Sequence, residues 1–531
     1  MLFSQYTRDR LCAVSLIAAM LSSALLLGCS NSSDSGGDGI AFWISTAGDD
    51  SASGGADDPF LTLARARDAV RALTQEQRCQ GVSVTLQGGV YRLAEPLALD
   101  ARDSGCAGRP VVYRAAPGEQ VVISGGVKIE GWTLHDQTLR IYKAPVDVQH
   151  TRQLYVNGRR ATRAQTSSYP SGFRPAFYYA DAVPQPEGIE FIPTELNASS
   201  WGDPASWTNV DQIEAVLVTQ WKMMSVPLQS VVPYPSHTTP PTFAPFPQLP
   251  AGGHTGLITL QEPAWSNANS FLEKSSGQPG LWSLWQVTRF ENAYQFLDEA
   301  GEWYLDSREG FVYYIPLADE DIGSADAQLP VLEILIDGAG DEDEPLANIT
   351  FEGLTFTYAT WLGPSGNSGY VSDQSGFHLT GPGHAPNVIG HAHNISFSGN
   401  RFQHLGAVGL DFDTGSQYNT VQGNVFTDIS SAAIQLGGVS ATDAHPQLVA
   451  QFTRDNTIEQ NTIQSTGREF VDAAGIYVGF TSNTLIRNNT ISDVPWAGIA
   501  MGWGWGLLDP GMFPGLPGAE RGQWGVYTTP T

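Results

Sequence analysis

Lysine is almost absent from this sequence, and positive charge of any kind is scarce. Only four residues are lysine, and the 27 Lys and Arg face 54 Asp and Glu, which gives a formal net charge of −27. Nucleic acid and anionic membrane surfaces repel so acidic a chain, so neither is expected as a partner. The charge balance fits a soluble, exported protein.

Cysteine is scarce too, with four residues in the chain. Two of them lie in the N-terminal segment, which leaves Cys79 and Cys106 as the natural disulfide pair in an oxidising compartment. Two free buried thiols are the alternative. No cysteine cluster has zinc-ligand spacing, and His391 and His393 lack a clear third ligand. The sequence therefore predicts neither a metal site nor a cofactor.

Long apolar runs are missing beyond the N-terminus, so no other segment is expected to span a bilayer. At the N-terminus, Arg8 and Arg10 precede an apolar run over residues 11–27. This arrangement predicts a secretory signal over residues 1–28.

Cys29 follows Leu-Leu-Gly directly, an arrangement that resembles the bacterial lipoprotein signal, in which that cysteine is acylated. A plain signal peptide or a single membrane helix is the alternative. Residues 29–40 are rich in Ser and Gly and predict a flexible tether. The expected location is thus outside the cytoplasm, on a membrane facing the periplasm or the cell surface, with acyl chains on Cys29 as the anchor.

An internal repeat dominates the C-terminal part of the chain. Five segments place an apolar residue two positions after a key residue, and the last four key residues are Asn at spacings of 24, 37 and 28: Leu354, Asn400, Asn424, Asn461 and Asn489. A period near two dozen with variable extra length predicts a parallel β-helix whose Asn side chains stack as an internal ladder. A β-sandwich with repeated hairpins is the alternative.

Three folded regions are expected. Residues 41–126 would begin the β-helix and include a capping helix with Leu63, Ala66, Val70 and Leu73 on one face. Residues 127–345 are rich in Pro, Trp and Tyr and predict an inserted, sandwich-like β domain. Residues 346–531 would form the remaining coils.

One coil is longer than its neighbours. Ten residues separate the key Asn from the next strand in three coils, whereas fifteen separate Asn461 from Ile476. The extra residues lie around "GREFVD", which contains Arg468, Glu469 and Asp472. Insertions in a solenoid project from one face, often the binding face, so both carboxylates are expected on a protruding loop.

The strands that follow the key Asn residues read "LDFD", "IQLG", "IYVG" and "IAMG". If their first residues point inward, Asp411, Gln435 and Tyr477 line one outer row, and Asp413 lies in the next row beside a strip of glycines that leaves space for a ligand. Trp503 and Trp505 would stand at the edge of this face, where indole rings can pack on sugars.

Paired carboxyl groups on such a face indicate glycoside hydrolysis, which uses one as an acid and one as a base or nucleophile. The candidates are Asp411, Asp413, Asp428, Glu469 and Asp472. Each also has a non-catalytic explanation. Asp428 shares one turn position with other turn-forming residues. Asp411 and Asp413 suit a solvated outer face, and Glu469 and Asp472 suit an ordinary acidic loop. Tyr477, Gln435, Arg468 and the two Trp are the expected substrate contacts.

The segments "DPFLTLARARDAVRAL", "GGVYRL", "LYVNGRRATRAQ" and "VPWAGIAMGWGWG" together resemble secreted right-handed parallel β-helix glycoside hydrolases, most closely glycoside hydrolase family 141 with its α-L-fucosidase and xylanase activities. The resemblance spans nearly the whole mature chain. It implies an all-β, right-handed parallel β-helix with an inserted β domain. It also implies a catalytic pair drawn from Asp428 and the bulge at Glu469 and Asp472. Relatives usually continue for several coils after the tryptophan motif, so a C-terminal truncation is expected.

The leading hypothesis is a hydrolase acting on a plant or algal polysaccharide. A polysaccharide lyase on the same scaffold is the first alternative; such enzymes need a basic group, and Arg468 could supply one. A non-catalytic glycan-binding surface protein is the second, since it would keep Trp503 and Trp505 without needing paired carboxylates.

Overall fold

A computed structural model describes residues 39–502, except for 181–182, 194–195, 197–200, 219–222, 234–255, 269–286, 373–374, 376–384 and 386. Three long sheets of parallel strands run through it, and successive coils of the chain add one strand to each sheet. The predicted parallel β-helix is therefore confirmed.

The strands, numbered along the chain, fall into these three sheets in stacking order. Sheet 1 contains β1 (Ile40–Ile44), β2 (Val82–Leu86), β5 (Val111–Ala115), β24 (Ile349–Glu352), β29 (Ser396–Ser398), β32 (Thr420–Gln422), β35 (Thr457–Glu459) and β38 (Leu485–Arg487). Sheet 2 contains β3 (Gly89–Arg92), β6 (Val121–Ser124), β25 (Leu354–Ala359), β30 (Arg401–Leu405), β33 (Val425–Ile429), β36 (Thr462–Gln464) and β39 (Thr490–Ser492). Sheet 3 contains β4 (Leu97–Asp100), β22 (Ile336–Ala339), β27 (Asn387–Gly390), β31 (Leu410–Phe412), β34 (Ile434–Leu436), β37 (Ile476–Val478) and β40 (Ile499–Met501).

The core lies between the three sheets, because alternate residues of each strand point inward. Equivalent inward positions stack from coil to coil: the rings of Phe356 and Phe402 lie 5.0 Å apart, and those of Phe402 and Phe426 lie 4.6 Å apart and nearly parallel. Leu410, Ile434 and Ile476 pair in register in sheet 3 and are fully buried, as the sequence predicts.

The predicted Asn ladder is also confirmed. The backbone N–H group of each ladder residue donates to the side-chain oxygen of the next Asn, at 2.8–2.9 Å. The donors are Asn400, Asn424 and Asn461, and Asn489 accepts the last of these bonds. Each side-chain amide also donates to a backbone carbonyl, as the Asn424 amide does to Phe397. These bonds satisfy polar groups that the coil buries, where an unmet group is costly. A second, shorter ladder that the sequence reading missed joins Asn419 to Asn456.

The N-terminal cap is a helix, α1 (Leu63–Arg71), followed by one turn, α2 (Gln75–Arg78). Thr62 caps α1 by accepting from the Arg65 N–H. Leu63, Ala66 and Val70 are buried against the core, which confirms the predicted face. Cys79 and Cys106 form a disulfide. Other short helical turns span 264–268, Ala441–Ala444, Ala101–Asp103, Pro204–Ser206, Val210–Gln212, Tyr294–Phe296, Gly363–Ser365 and Val449–Gln451.

Three excursions leave the coils at the corner between sheet 2 and sheet 3, whereas residues 437–456 leave between sheet 3 and sheet 1. The longest follows β6 and returns at β22, within the residues 127–345 expected to form the insertion. A second joins β25 to β27, and the expanded coil joins β36 to β37 at the same corner. Three separate parts of the chain therefore meet over this edge of the β-helix.

The first excursion consists mainly of antiparallel strands. One sheet has the order β11 (Arg159–Arg160), β10 (Tyr155–Val156), β21 (Ala327–Pro330), β7 (Gly126–Ile129). A second has β12 (Thr162–Arg163), β19 (Glu302–Asp306), β20 (Phe311–Tyr314), β9 (Ile141–Pro145), β8 (Thr133–Asp136). A third has β13 (Phe173–Ala180), β14 (Val183–Phe191), β17 (Gly256–Leu260), β16 (Met223–Pro233), β15 (Glu214–Val218), β18 (Arg289–Glu291), with β26 (Tyr370–Val371) beside β16. Outside this excursion, β23 (Leu346–Ala347) and β28 (Ala392–His393) form a two-strand parallel pair on successive coils.

Within the described part of the chain, no helix is both long and apolar enough to cross a lipid bilayer.

We expect Asn424→Ala to lower the free energy of unfolding by about 3 kcal/mol, because it leaves buried polar groups on two neighbouring coils without their hydrogen-bond partner. Asn489→Ala is the matched control, since Asn489 belongs to the same ladder but is only half-buried, and it should cost clearly less. Urea unfolding followed by tryptophan fluorescence measures both. Equal losses for the two variants would mean that burial of the ladder does not set its contribution.

Candidate active site

The corner between sheets 2 and 3 has one repeated backbone conformation. Near the end of each sheet 2 strand from β25 onward, one residue takes a left-handed conformation, with φ between 49° and 56°: Tyr358, His404, Asp428, Ser465 and Asp493. Asp and Asn tolerate this region better than most residues. The prediction that Asp428 shares one turn position with His404, Ser465 and Asp493 is therefore confirmed. At this position the Asp428 side chain contacts the first excursion.

Asp428 is held by two partners. The Arg160 Nε donates to Asp428 Oδ1 at 2.8 Å, and His404 Nδ1 lies 2.7 Å from Oδ2. Burial alone would raise the pKa of this carboxyl, but the Arg160 charge and the His404 hydrogen bond outweigh it and hold the pKa below its usual range. Asp428 is therefore an ionised carboxylate, and 19 % of its side chain stays exposed.

Aromatic rings fix the two partners of Asp428. The His404 ring stacks on Tyr358, with centroids 5.4 Å apart, and contacts the Tyr155 ring at 4.8 Å. The Arg160 guanidinium lies 5.1 Å from the centre of the same Tyr155 ring. Tyr155 thus packs against both groups that bind the carboxylate.

Glu469 lies in the expanded coil and accepts from four donors. Arg152 Nε and Nη2 reach its Oε1 at 2.8 and 2.7 Å, while the Gln153 amide and the Ser430 hydroxyl reach Oε2 at 2.7 and 3.1 Å. Its side chain is 15 % exposed. The expectation of a protruding loop is wrong here, because both excursions pack over the expansion.

Asp472 is more deeply enclosed than predicted. The Tyr370 hydroxyl donates to its Oδ1 at 3.1 Å, and the Ser372 hydroxyl donates to Oδ2. The neighbouring Phe470 ring is fully buried and stacks on Tyr370 at 4.3 Å. Asp472 therefore ties the expanded coil to the second excursion instead of standing on an open face.

Arg160 and Ser430 connect the two partly exposed carboxylates. Arg160 Nη1 donates to the Ser430 hydroxyl at 2.9 Å, and that hydroxyl donates to Glu469 at 3.1 Å. With the Arg160–Asp428 contact, this chain of bonds links the two carboxyl groups through one arginine and one serine. Working pairs in glycosidases lie roughly 5–10 Å apart.

The charged residues that surround Asp428 and Glu469 come mostly from the first excursion. Arg152 also binds Glu214 at 2.6 Å, Arg163 binds Glu214 at 2.8 Å and Glu291 at 3.5 Å, and Arg289 binds Glu291 at 2.6 Å. Together with Arg160, Asp428 and Glu469, the network holds four arginines and four carboxylates. The charges cancel, which makes their burial tolerable.

Sequence reasoning missed Arg152, Arg160 and Glu214. Arg160 lies in the quoted segment "LYVNGRRATRAQ", but 268 residues separate it from Asp428, and 317 separate Arg152 from Glu469. The one available signal was the concentration of arginine in a stretch with few other charges.

The sheet 3 row does not form the open face expected from the sequence. Asp411, Gln435 and Tyr477 point away from the core, yet each is at most 2 % exposed. Val439, in the loop after β34, packs on Tyr477. A Cβ on Gly479 would lie 2.5 Å from the Gly438 carbonyl oxygen, so the chain itself fills the space assigned to a ligand.

Asp411 and Asp413 lie apart from any arginine that the structure describes. Asp411 Oδ2 accepts from the Gln435 amide at 2.8 Å, while its buried Oδ1 has no hydrogen-bond partner. Burial, and then the charge of Asp413, raise the pKa of Asp411 well above its usual value. Asp413 accepts from the Thr414 N–H at 2.8 Å.

The other predicted site residues are less informative. Arg468 is half-exposed, and its nearest carboxylate is Asp493 at 3.9 Å. Trp503, Trp505 and Cys29 lie outside the described residues. No group of three or more His, Cys, Asp or Glu side chains in the described ranges is arranged to hold a metal ion.

Comparison with known proteins agrees with the parallel β-helix described above. The family described as "Right handed beta helix region" matches residues 346–504. A solved structure named "Glycoside hydrolase" is similar to this chain with a TM-score of 0.72 and 26 % identity, over 88 % of this chain and 80 % of that one. The right-handed parallel β-helix is thereby established, on a chain similar to a glycoside hydrolase over most of its length.

Two further solved structures are only distantly similar. One is XylC with xylose, at TM-score 0.39 and 12 % identity, over 87 % of this chain and 60 % of that one. The other is a rhamnogalacturonan lyase, at TM-score 0.33 and 9 % identity, over 88 % of this chain and 63 % of that one. No match was found among curated protein sequences.

We expect Arg152→Met to lower the free energy of unfolding by about 3–5 kcal/mol, because it leaves Glu214 and Glu469 short of a buried cation. Arg308→Met is the control, since the Arg308–Asp211 pair is 53 % exposed on both sides, and it should cost less than about 1 kcal/mol. Denaturant unfolding measures the difference. A loss for Arg152→Met as small as that of the control would contradict the buried network.

Proposed function

We propose that this protein hydrolyses glycosidic bonds and that Asp428 and Glu469 are its catalytic pair. The observation that carries the proposal is the joining of these two partly exposed carboxylates through Arg160 and Ser430, where both excursions meet the β-helix. The similarity to a glycoside hydrolase over most of the chain supports the reaction class. Glycoside hydrolysis requires two such groups on either side of the scissile bond.

Asp428 is assigned as the base or nucleophile. Arg160 and His404 lower its pKa, so it is ionised before substrate arrives. A carboxylate in this state can activate water or attack the anomeric carbon, according to its distance from the acid. Its lowered pKa makes Asp428 a poor proton donor.

Glu469 is assigned as the general acid. The Ser430 hydroxyl beside its Oε2 can rotate, so it can donate to the ionised carboxylate or accept from the protonated one. Proton transfer to the leaving oxygen then needs no movement of the coil. Glu469 comes from the expanded coil and Asp428 from the regular turn, so the two carboxyl groups belong to successive coils.

The substrate class rests on sequence resemblance. The similarity to glycoside hydrolase family 141 supports fucosylated or xylan-type chains from plant or algal polysaccharides as substrates. The partly exposed carboxyl groups of Asp428 and Glu469 suit a neutral sugar, whose hydroxyls can bind carboxylates.

Asp428→Asn and Glu469→Gln should each lower kcat/KM on a cleaved oligosaccharide by about 10³-fold or more, since each removes a group that moves a proton or forms a bond. Asp493→Asn is the matched control: it occupies the same left-handed turn register, is largely exposed and contacts neither Arg160 nor Ser430. Its activity should equal that of the wild type.

An aryl glycoside with a good leaving group separates the two roles. It should restore much of the rate of Glu469→Gln, which needs no acid for such a substrate, and little of the rate of Asp428→Asn. Full activity in either variant would refute the pair. Products with a new double bond would show a lyase instead.

We also propose that the protein is exported and anchored to a membrane by acylation at Cys29. The support is the N-terminal pattern of two arginines, an apolar run and Leu-Leu-Gly-Cys. In a cell that acylates lipoproteins, the Cys29→Ser variant should be absent from the membrane fraction, because it lacks the thiol to which the acyl chain is attached. If the variant still sediments with membranes, acylation at Cys29 is not the anchor.

A further inference from the structure

His404 has one ring nitrogen that is bonded and one that is open. Its Nδ1 lies 2.7 Å from Asp428 Oδ2. Its Nε2 has no hydrogen-bond partner among the described residues, and it is not one of their buried unpaired atoms. The side chain of His404 is 12 % exposed, and that of Asp428 is 19 % exposed. A polar ring nitrogen therefore lies open to solvent beside the carboxylate assigned as base or nucleophile.

The charge of Asp428 fixes the direction of the hydrogen bond between the two side chains. An ionised carboxylate can only accept, so His404 Nδ1 donates to Asp428 Oδ2. Nε2 is then an acceptor in the neutral imidazole and a donor in the imidazolium ion. A sugar hydroxyl can both donate and accept, so it can bind Nε2 in either form. A binding role for Nε2 therefore does not depend on the charge of His404.

The His404 ring is held in one orientation before any ligand arrives. It stacks on the Tyr358 ring at an interplanar angle of 11°, and the centre of the Tyr155 ring lies 4.8 Å from its own centre. The bond to Asp428 fixes its rotation. Because these contacts already immobilise the side chain, a ligand that binds Nε2 loses little affinity to side-chain ordering.

Support of Asp428 alone does not account for an imidazole at position 404. The backbone of His404 is left-handed, with a φ of 55°, and this conformation suits Asn. An Asn amide nitrogen in the place of Nδ1 would also donate to Asp428. What the imidazole adds is a second nitrogen, farther from the backbone and open to solvent. That nitrogen is available to a ligand.

We propose that His404 is a substrate-binding residue, whose Nε2 binds one hydroxyl of the sugar at the cleaved bond. The inference rests on the proposed function, which places the anomeric carbon of that sugar next to Asp428. Nε2 lies one imidazole width from the carboxylate, so a hydroxyl of the same sugar ring comes within its reach. His404 thereby favours substrates that carry a hydroxyl at this position, because an analogue without it leaves Nε2 unbonded in the complex.

The experiment compares kcat/KM of the wild type and of His404→Asn on an oligosaccharide that the wild type cleaves and on its deoxy analogues. Each analogue lacks one hydroxyl of the sugar that carries the anomeric carbon of the cleaved bond. The ratio of wild type to variant should be about ten for the parent and for every analogue that keeps the bound hydroxyl, since one hydrogen bond is lost. For the analogue without that hydroxyl, the ratio should be close to one. Differences in intrinsic reactivity cancel, because both enzymes cleave the same compounds.

His393→Asn is the matched control. It makes the same substitution at a half-buried histidine of β28, away from the corner between sheets 2 and 3. Its ratio should be one on every substrate. His404→Gly takes the place of His404→Asn if circular dichroism shows that the latter does not fold, because glycine adopts a left-handed backbone without strain. Its ratio should also fall about tenfold on the analogue that lacks the bound hydroxyl.

A merely structural role for His404 would give the same ratio on every substrate, and that result overturns the inference. Full activity of His404→Asn on the parent oligosaccharide overturns it as well. The proposed function fails separately, if the wild type hydrolyses no glycoside or if Asp428→Asn or Glu469→Gln retains full activity.

Discussion

Exact stacking of one coil on the next is the constraint on which the rest of this structure depends. Parallel strands must pair in register, and the Asn400–Asn489 ladder allows no extra residue between strands at its own corner. Additional chain can therefore leave the stack only where pairing is interrupted. Three departures lie between sheets 2 and 3, and residues 437–456 depart between sheets 3 and 1, so none of these four uses the corner of the ladder. The candidate site lies at the corner between sheets 2 and 3, because the two excursions contact the coils at that corner.

The site is accordingly assembled from parts that differ in charge. The coils contribute Asp428, Ser430 and Glu469, and the first excursion contributes Arg152 and Arg160. Without the first excursion, Asp428 and Glu469 would each lose an arginine partner, and an unpaired buried charge is costly. Docking of the excursion on the β-helix and formation of the charged site are therefore the same event.

The sequence predicts what depends on local repetition. The Asn ladder, the inward row of sheet 3, the buried face of α1 and the turn register of Asp428 all follow from spacing along the chain. What covers a coil depends on distant segments, and this is why Asp411 and Tyr477 are buried where an open face was expected. Arg152 and Arg160 escaped detection for the same reason, since no periodicity links them to the carboxylates they bind.

The left-handed corner register has a further consequence. Because Tyr358, His404, Asp428, Ser465 and Asp493 share one backbone conformation on successive coils, they form a row of equivalent positions at intervals of one strand spacing, about 4.8 Å. Moving a carboxylate from one position to the next displaces it by a fixed step without altering the backbone. The distance between such a carboxylate and Arg160 can thus change only in steps of one strand spacing, because Arg160 belongs to the first excursion and not to the repeat.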